Sequence, residues 1–272
     1  MKKILHISDI HASSVVSKGS ELNHLRTVVK AILDDKFIIG VDTILITGDI
    51  TNNGLNDEYE LFDKEFLSPL MTFLKINYSR VFICPGNHDV ERTKISITIK
   101  SALRQTKVLA DIDKIMQENI QGSKFSWLEN FNNYQARIDK DKSIIATDKY
   151  NVRYQHDGIE ILSINSSLCS FGEDDKSNLF LNSELYNKSI KLINNDNAQT
   201  IIIMHHPIDW LSEEERYRFN TELSKSKTKF LCYGHMHEHS SISESYFNED
   251  AILKLQAGKI DIRDGENKFT GL

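Results

Sequence analysis

Val81-Phe82-Ile83-Cys84-Pro85-Gly86-Asn87-His88-Asp89 is the stretch on which the reading of this chain turns. A β-branched and aromatic run that halts at Pro-Gly reads as a buried strand emptying into a loop. That loop sets an amide, an imidazole and a carboxylate side by side. Four further stretches repeat the theme: Asp9-Ile10-His11, Gly48-Asp49, His205-His206-Pro207 and Gly234-His235-Met236-His237. Each follows a run with strand character, so five strand ends can converge on one place.

Working outward, Lys3 to Ser8 reads as a strand ending at Asp9. Residues 21–35 carry Leu22, Leu25, Val28, Val29, Ile32 and Leu33 at the helix period. Asp42 to Thr47 is the next strand, and Leu55 to Leu74 is a helix with Tyr59, Phe62, Phe66 and Leu70 three and four apart. Strand, helix, strand, helix, strand is the signature of a layered α/β core with parallel central strands. Residues 91–140 break this rhythm. Ile95 to Ile120 is weakly periodic helix, and Phe125 to Ile138 is amphipathic through Trp127, Leu128, Phe131, Tyr134 and Ile138. The segment reads as a helical insertion or cap beside the site, or else as a plain solvated helical pair. Trp127, Phe131 and Tyr134 fit core packing better than base stacking.

Beyond it, Tyr150–Gln155 and Ile159–Asn165 flank Asp157-Gly158, a strong hairpin signal. A helix is expected over Asn182–Ile193, a strand over Thr200–Met204, and a helix opened by the Ser212/Glu215 capping box. Lys229–Tyr233 reads as a strand, with a last hairpin over 239–245 and 250–256. Residues 267–270 begin to look like another strand, which suggests a native chain continuing past Leu272. The pattern is that of one domain over 1–272, without repeats or low-complexity linkers.

The 272 residues are 40% hydrophobic and 26% charged, ordinary for a globular protein able to bury a full core. The three cysteines, Cys84, Cys169 and Cys232, suit buried thiols in a reducing compartment better than disulfides. After Lys2-Lys3 the apolar run is broken within a few residues by His6, Ser8 and Asp9, short of the h-region of a signal peptide, so none is expected. No run approaches the ~20 apolar residues of a membrane span. A cytoplasmic protein is expected. The net charge of -6, with its basic residues dispersed, argues against unaided grip on duplex DNA. A small or single-stranded nucleic acid remains compatible.

The strand-end donors are Asp9, Asp49, His11, His205, His235, His237 and the Asn87 amide oxygen. This oxygen and nitrogen set, with no thiolate, suits Mn²⁺, Fe²⁺ or Zn²⁺. Seven donors are too many for one catalytic ion with open positions, and they suit two ions bridged by a carboxylate. Asp9/His11 and His235/His237 are each two apart, and in extended backbone such pairs share a side. Two ions ~3.5–4 Å apart would hold a hydroxide and clamp a phosphoryl oxygen in line with it. Two divalent charges, less two carboxylates and a hydroxide, leave about +1, which attracts a phosphodiester. His88 is the candidate general acid, and Asp89 the carboxylate expected to orient and charge it. Gly48, Gly86 and Gly234 are expected to supply turn freedom. His6, His24, His156 and His239 read as ordinary packing or hydrogen-bonding histidines.

As an ordered set, these blocks resemble the calcineurin-like metallophosphoesterases over about residues 1–260. The resemblance implies a four-layer α/β/β/α sandwich with mixed sheets and a dinuclear site at the strand ends. It implies that Asp9, His11 and His237 hold one ion, that Asn87, His205 and His235 hold the other, and that Asp49 bridges them. His88 would protonate the leaving group or stabilise the transition state. Mn²⁺ is the expected metal, with Fe²⁺, Zn²⁺ or Ni²⁺ as alternatives. Gly48-Asp49-Ile50-Thr51-Asn52-Asn53-Gly54 with Glu58-Tyr59 looks like the phosphodiesterase and nuclease side of the family. Asn53 and His206 are the substrate-binding candidates, although His206 competes with His205 as the ligand of its pair. The implied function is hydrolysis of a phosphodiester in a nucleotide or nucleic acid. Nuclease and cyclic-nucleotide phosphodiesterase both stay open. A non-catalytic scaffold binding a protein partner is the other class, set against a complete ligand set. A further C-terminal domain or an NTPase partner is a possible companion of such a domain.

Overall fold

Two sheets stand face to face because their strands alternate which core each side chain enters. The computed structural model describes residues 3–14, 18–106, 110–115, 126–148, 150–172, 174–181, 199–244 and 251–259. The first sheet runs β1 (Ile4–Ile7), β2 (Thr43–Thr47), β3 (Val81–Cys84), all parallel, with Ile7 opposite Ile46 and Thr47 opposite Cys84. The second contains β4 (Ser143–Thr147), β5 (Val152–His156), β6 (Ile159–Ser163), β7 (Gln199–Ile203), β8 (Thr228–Tyr233), β9 (Ser240–Glu244) and β10 (Ile252–Gln256). Its order is β4-β5-β6-β7-β8-β10-β9, with β6, β7, β8 and β10 parallel and the rest antiparallel.

In β3, Val81 and Ile83 face the helices while Phe82 and Cys84 face the second sheet. In β7, Ile201 and Ile203 join that inter-sheet core and Ile202 joins the opposite one. This period of two makes every central strand apolar on both sides and stacks four layers. The outer layer on the first sheet holds α1 (Lys18–Asp34), α2 (Asn56–Phe62) and α3 (Ser68–Leu74). Phe219 and Leu223 of α6 (Glu213–Ser224) cover the second sheet's far face. The fold is the α/β/β/α sandwich, with one parallel and one mixed sheet.

Several expectations shift in detail. The helix over Leu55–Leu74 is helical throughout but widens to a π turn at Asp63–Leu67, just before Pro69. Proline lacks the N–H of a regular turn, and the wider turn accommodates it. The helix expected over Ile95–Ile120 is interrupted. α4 (Ile97–Gln105) stops at the extended Thr106, and a second piece spans 110–115. Trp127, Phe131 and Tyr134, around α5 (Glu129–Ile138), are buried in the helix-side core, with Tyr134 stacked on Tyr59 at 5.0 Å. Neither a solvated helix nor a base-stacking surface describes residues 126–138. At the hairpin, Asp157 (φ 48°) and Gly158 (φ 83°) both take the left-handed geometry of a tight primed turn. The expected helix over 182–193 and strand over 267–270 lie outside the described residues. The three cysteines are free and buried.

Candidate metal centre

All five sequence blocks leave the carboxyl ends of parallel strands: β1, β2 and β3 in one sheet, β7 and β8 in the other. That end is where α/β sheets gather ligands. Asp9 (φ 55°), His11 (51°), Asp49 (50°), His235 (72°) and His237 (60°) are all left-handed. The extended backbone assumed for the Asp9/His11 and His235/His237 pairs is therefore wrong. Both pairs sit in left-handed turns, each costing on the order of 1–3 kcal/mol and persisting only where surroundings enforce it. The enforcement is visible: Ile10 N and His11 N both donate to the Asp49 carbonyl at 2.9 Å, and Gly234 N donates to the His205 carbonyl at 3.0 Å.

The donor atoms come together in two groups. His237 Nε2 is 3.4 Å and His11 Nε2 3.9 Å from Asp9 Oδ1, and His11 Nε2 is 3.7 Å from Asp49 Oδ2. That same Asp49 oxygen is 3.4 Å from His205 Nε2. Asn87 Oδ1 is 3.0 Å from both His205 Nε2 and His235 Nδ1, which are 3.2 Å apart. A cation about 2.1 Å from each donor spaces neighbouring ligands about 3.0–3.4 Å apart, so the group around Asn87 needs little adjustment, while His11, at 3.7 and 3.9 Å from the carboxylates, has to close in by a few tenths of an ångström. Asp49 belongs to both. The fit has a second sign: Asp9 Oδ1 and His11 Nε2 are buried without any hydrogen-bond partner. Orphaned buried polar atoms cost about 1–3 kcal/mol each, and a cation satisfies both.

The electrostatics agree. Burial depresses His11 to about 4, against the pull of Asp49 and Asp9. Burial, with the neighbouring His205 charge, depresses His235 to about 3. Both offer bare lone pairs at neutral pH. For His205 burial opposes the charge, but Asp49, then Asp9 and the Thr47 carbonyl, outweigh it and raise the group to about 9. Its Nδ1 lies 2.7 Å from the Thr47 carbonyl, which can only accept. Nδ1 therefore carries the proton, and Nε2 faces Asp49 and Asn87 as a ligand nitrogen would.

Asp89 is a correction. Although adjacent to His88, its buried carboxylate accepts from Gly86 N (2.8 Å), Ile50 N (3.2 Å), Thr51 N and Thr51 Oγ1 (3.0 Å each), and Tyr59 Oη (3.1 Å). It ties the Asp49 loop to the Asn87 loop and does not orient the imidazole. The group that does is the Asn52 carbonyl, 2.9 Å from His88 Nδ1. Asn53 is exposed, and its side chain is engaged by Glu58, whose carboxylate also accepts from Asn53 N and Leu55 N. His206 is wholly buried, its ring edge-on to that of His205 at 4.8 Å and its Nδ1 3.0 Å from Ser166 Oγ. Two of the glycines act through space, not through turn geometry. A Cβ on Gly86 would sit 2.1 Å from Asp49 Oδ1, and one on Gly234 1.9 Å from Ser8 Oγ. Gly48 has φ 89° and fits the turn expectation. The parts played by Asn52, Ser166 and Trp210, whose ring lies 4.0 Å from that of His235, carry no signal in the sequence. Asn52 acts through its backbone, which leaves no residue-type signal.

The family profile described as "Calcineurin-like phosphoesterase" matches residues 2–239. The chain belongs to this family. That membership accords with the two donor groups. The chain is 24% identical over 274 residues to the "Uncharacterized metallophosphoesterase-like protein YydB" of Bacillus subtilis (strain 168), covering 95% of this chain and 53% of that one. The chain thus spans about half the length of that relative. Among solved structures it is similar to the purple acid phosphatase PPD1 from yellow lupin (Lupinus luteus) seeds. The TM-score is 0.51 at 11% identity, over 96% of this chain and 44% of that one. It is also similar to a dimetal phosphatase from Danio rerio, with TM-score 0.45 and 13% identity over 95% and 87% of the two chains. Among the described residues, no helix is long and apolar enough to cross a membrane.

Proposed function

We propose that this phosphoesterase cleaves phosphodiesters, in a nucleotide or a single-stranded nucleic acid, with His88 as the proton donor to the leaving oxygen. Asp9, His11 and His237 would hold one divalent cation, Asn87, His205 and His235 the other, and Asp49 both. Bound there, the cations supply positive charge to the phosphoryl oxygens and acidify the attacking water.

The observation that carries the reading is the placement of His88. Its ring meets that of His11 edge-on at 4.6 Å, beside the orphaned donors, and its backbone N–H donates to Asp49 Oδ1 at 2.8 Å. Nδ1 donates to the Asn52 carbonyl, so a second proton can reside only on Nε2. From Nε2 it passes to the alkoxide oxygen as the phosphorus–oxygen bond breaks. An alkoxide leaving without a proton is the costly part of diester hydrolysis, and positioned acids contribute typically 10²–10⁴-fold. A site of about +1 is neutralised by the single charge of a phosphodiester. The net charge of -6 further favours small or single-stranded substrates over duplexes.

The test is turnover of bis-p-nitrophenyl phosphate against p-nitrophenyl phosphate with Mn²⁺, for the wild type and His88→Ala. The diester should be preferred, and His88→Ala should lower its kcat about 10²-fold or more with both cations retained. Preference for the monoester, or an unchanged rate in His88→Ala, would refute the reading.

A further inference from the structure

The two tryptophans of the chain stand in unlike places. Trp127 is fully buried, and its Nε1 donates to the Leu168 carbonyl at 3.3 Å, the ordinary state of a core indole. Trp210 is only partly buried, and its Nε1 donates to no partner among the described residues. It closes the short turn Ile208–Trp210, which follows directly on His205-His206-Pro207. The strand end that supplies His205 therefore also delivers this indole to the centre. Its ring meets that of His235 at a steep angle, 79°, with 4.0 Å between centroids, and lies 5.8 Å from that of His206. Packing on His235 leaves part of the indole open to solvent.

The exposed groups mark the mouth of the centre. The His237 side chain is 47% exposed and Met236 46%, whereas Asp9, Asp49 and His205 are closed off. Two partly exposed rings flank the donors: His88 beside His11, at 4.6 Å, and Trp210 beside His235. His11 and His235 belong to different donor groups. A phosphodiester has two esterified oxygens, and the one that faces His88 leaves. The other stays on phosphorus and carries its substituent toward the second donor group, where Trp210 stands.

We infer that Trp210 is a stacking platform for a nucleobase, and that the substrate carries a nucleoside on the ester oxygen that is retained. This rests on the phosphodiester reading above and narrows its substrate class. An indole accepts any base, because every base has a π-face, and one stacked base is worth a factor of about 5–150 in binding. Diesters of glycerol or of a simple sugar offer no such face. Stacking also needs no basic groove, which suits a chain of net charge -6.

The test compares thymidine 5′-(p-nitrophenyl phosphate) with methyl p-nitrophenyl phosphate in the Mn²⁺-loaded wild type, Trp210→Ala and Trp210→Phe. The two diesters share a leaving group and differ in what stays on phosphorus. The wild type should prefer the thymidine diester about 5–150-fold in kcat/KM, mainly through KM; Trp210→Ala should bring that ratio close to one, and Trp210→Phe should keep most of it. An unselective wild type, or a preference that survives Trp210→Ala, would overturn the proposal, while turnover of the methyl diester would leave the phosphodiester reading standing. A second readout needs no turnover. Trp127 is closed to ligands, so quenching of tryptophan fluorescence by thymidine 5′-monophosphate reports on Trp210. It should appear in the wild type, be absent with ribose 5-phosphate and vanish in Trp210→Phe. No quenching, or equal quenching by ribose 5-phosphate, would overturn the proposal whether or not any diester is hydrolysed.

Discussion

Gly86→Ala offers the sharpest test of how the two halves of the centre are held together. The new methyl would lie 2.1 Å from Asp49 Oδ1 and 2.2 Å from the Asp49 backbone nitrogen. Real Cβ atoms stay beyond 3.0 Å of such neighbours, so the Asp49 carboxylate would have to retreat by at least 0.9 Å. It cannot do so by rotating alone, because its main chain is in the way as well. Asp49 is also fixed by donation from His88 N at 2.8 Å and sits in left-handed backbone. Overpacking of this kind costs typically 1–3 kcal/mol of stability, and a displacement near 1 Å costs on the order of 10²-fold in rate. The control is Gly158→Ala at the hairpin, where φ is 83° but nothing lies within 4 Å of the added carbon. That change should cost about 1–2 kcal/mol through backbone strain and leave the centre untouched. Urea denaturation and metal titration of both variants measure the two effects. Full metal stoichiometry at wild-type affinity in Gly86→Ala would show that Asp49 is not pinned as described.

Three other outcomes are expected. Asp89→Ala leaves the N–H groups of Gly86, Ile50 and Thr51 without their acceptor, so it should cost about 3 kcal/mol or more and weaken metal binding. A loss of rate alone, with stability and metal retained, would restore Asp89 as a partner of His88. Metal loading should release a proton near neutral pH, because His205, raised to about 9 in the folded metal-free chain, must give one up to ligate. In that metal-free form its charge adds stability that is fully present below pH 6.5 and disappears as pH rises through about 9. Calorimetry in buffers of different ionisation enthalpy counts the proton, and no release at pH 7 would contradict the assignment. Trp127→Ala should cost about 3–5 kcal/mol in chemical denaturation, since the ring is fully buried and its Nε1 donates to the Leu168 carbonyl at 3.3 Å. A cost under about 1 kcal/mol would restore a solvated segment.

The strand ends were readable because apolar runs of strand length stop at Gly, Pro, Asp or His, and their carboxyl ends fix where loops emerge. That logic located Asp9, His11, Asp49, Asn87, His205, His235 and His237 and brought them together. What it missed is conformation at single residues. Residue type does not announce that Asp9 or His237 will be left-handed, because the neighbouring loop imposes it. Adjacency misled for Asp89, since consecutive side chains diverge and this one turns into the core toward Tyr59 while His88 stays at the surface of the centre. Asn52 was invisible because it acts through its carbonyl. The segment around α5 could be read as packed or as solvated because polar residues dilute its periodicity, and Phe131 and Tyr134 complete the core against Tyr59.

The strand order of the second sheet bears on how the molecule is made. β10 lies between β8 and β9, so it enters the sheet after the chain has passed both. The residues that follow it reach back into the ligand loops: Ala257 N donates to the Tyr233 carbonyl, Lys259 N to the His237 carbonyl, and Lys259 bridges to Ser8 beside β1. During synthesis, when amino-terminal parts fold first, the loop bearing His235 and His237 is therefore without this brace until residue 259 has left the ribosome. A nascent polypeptide halted before that point would carry all seven donors and still lack a finished place to receive its ions.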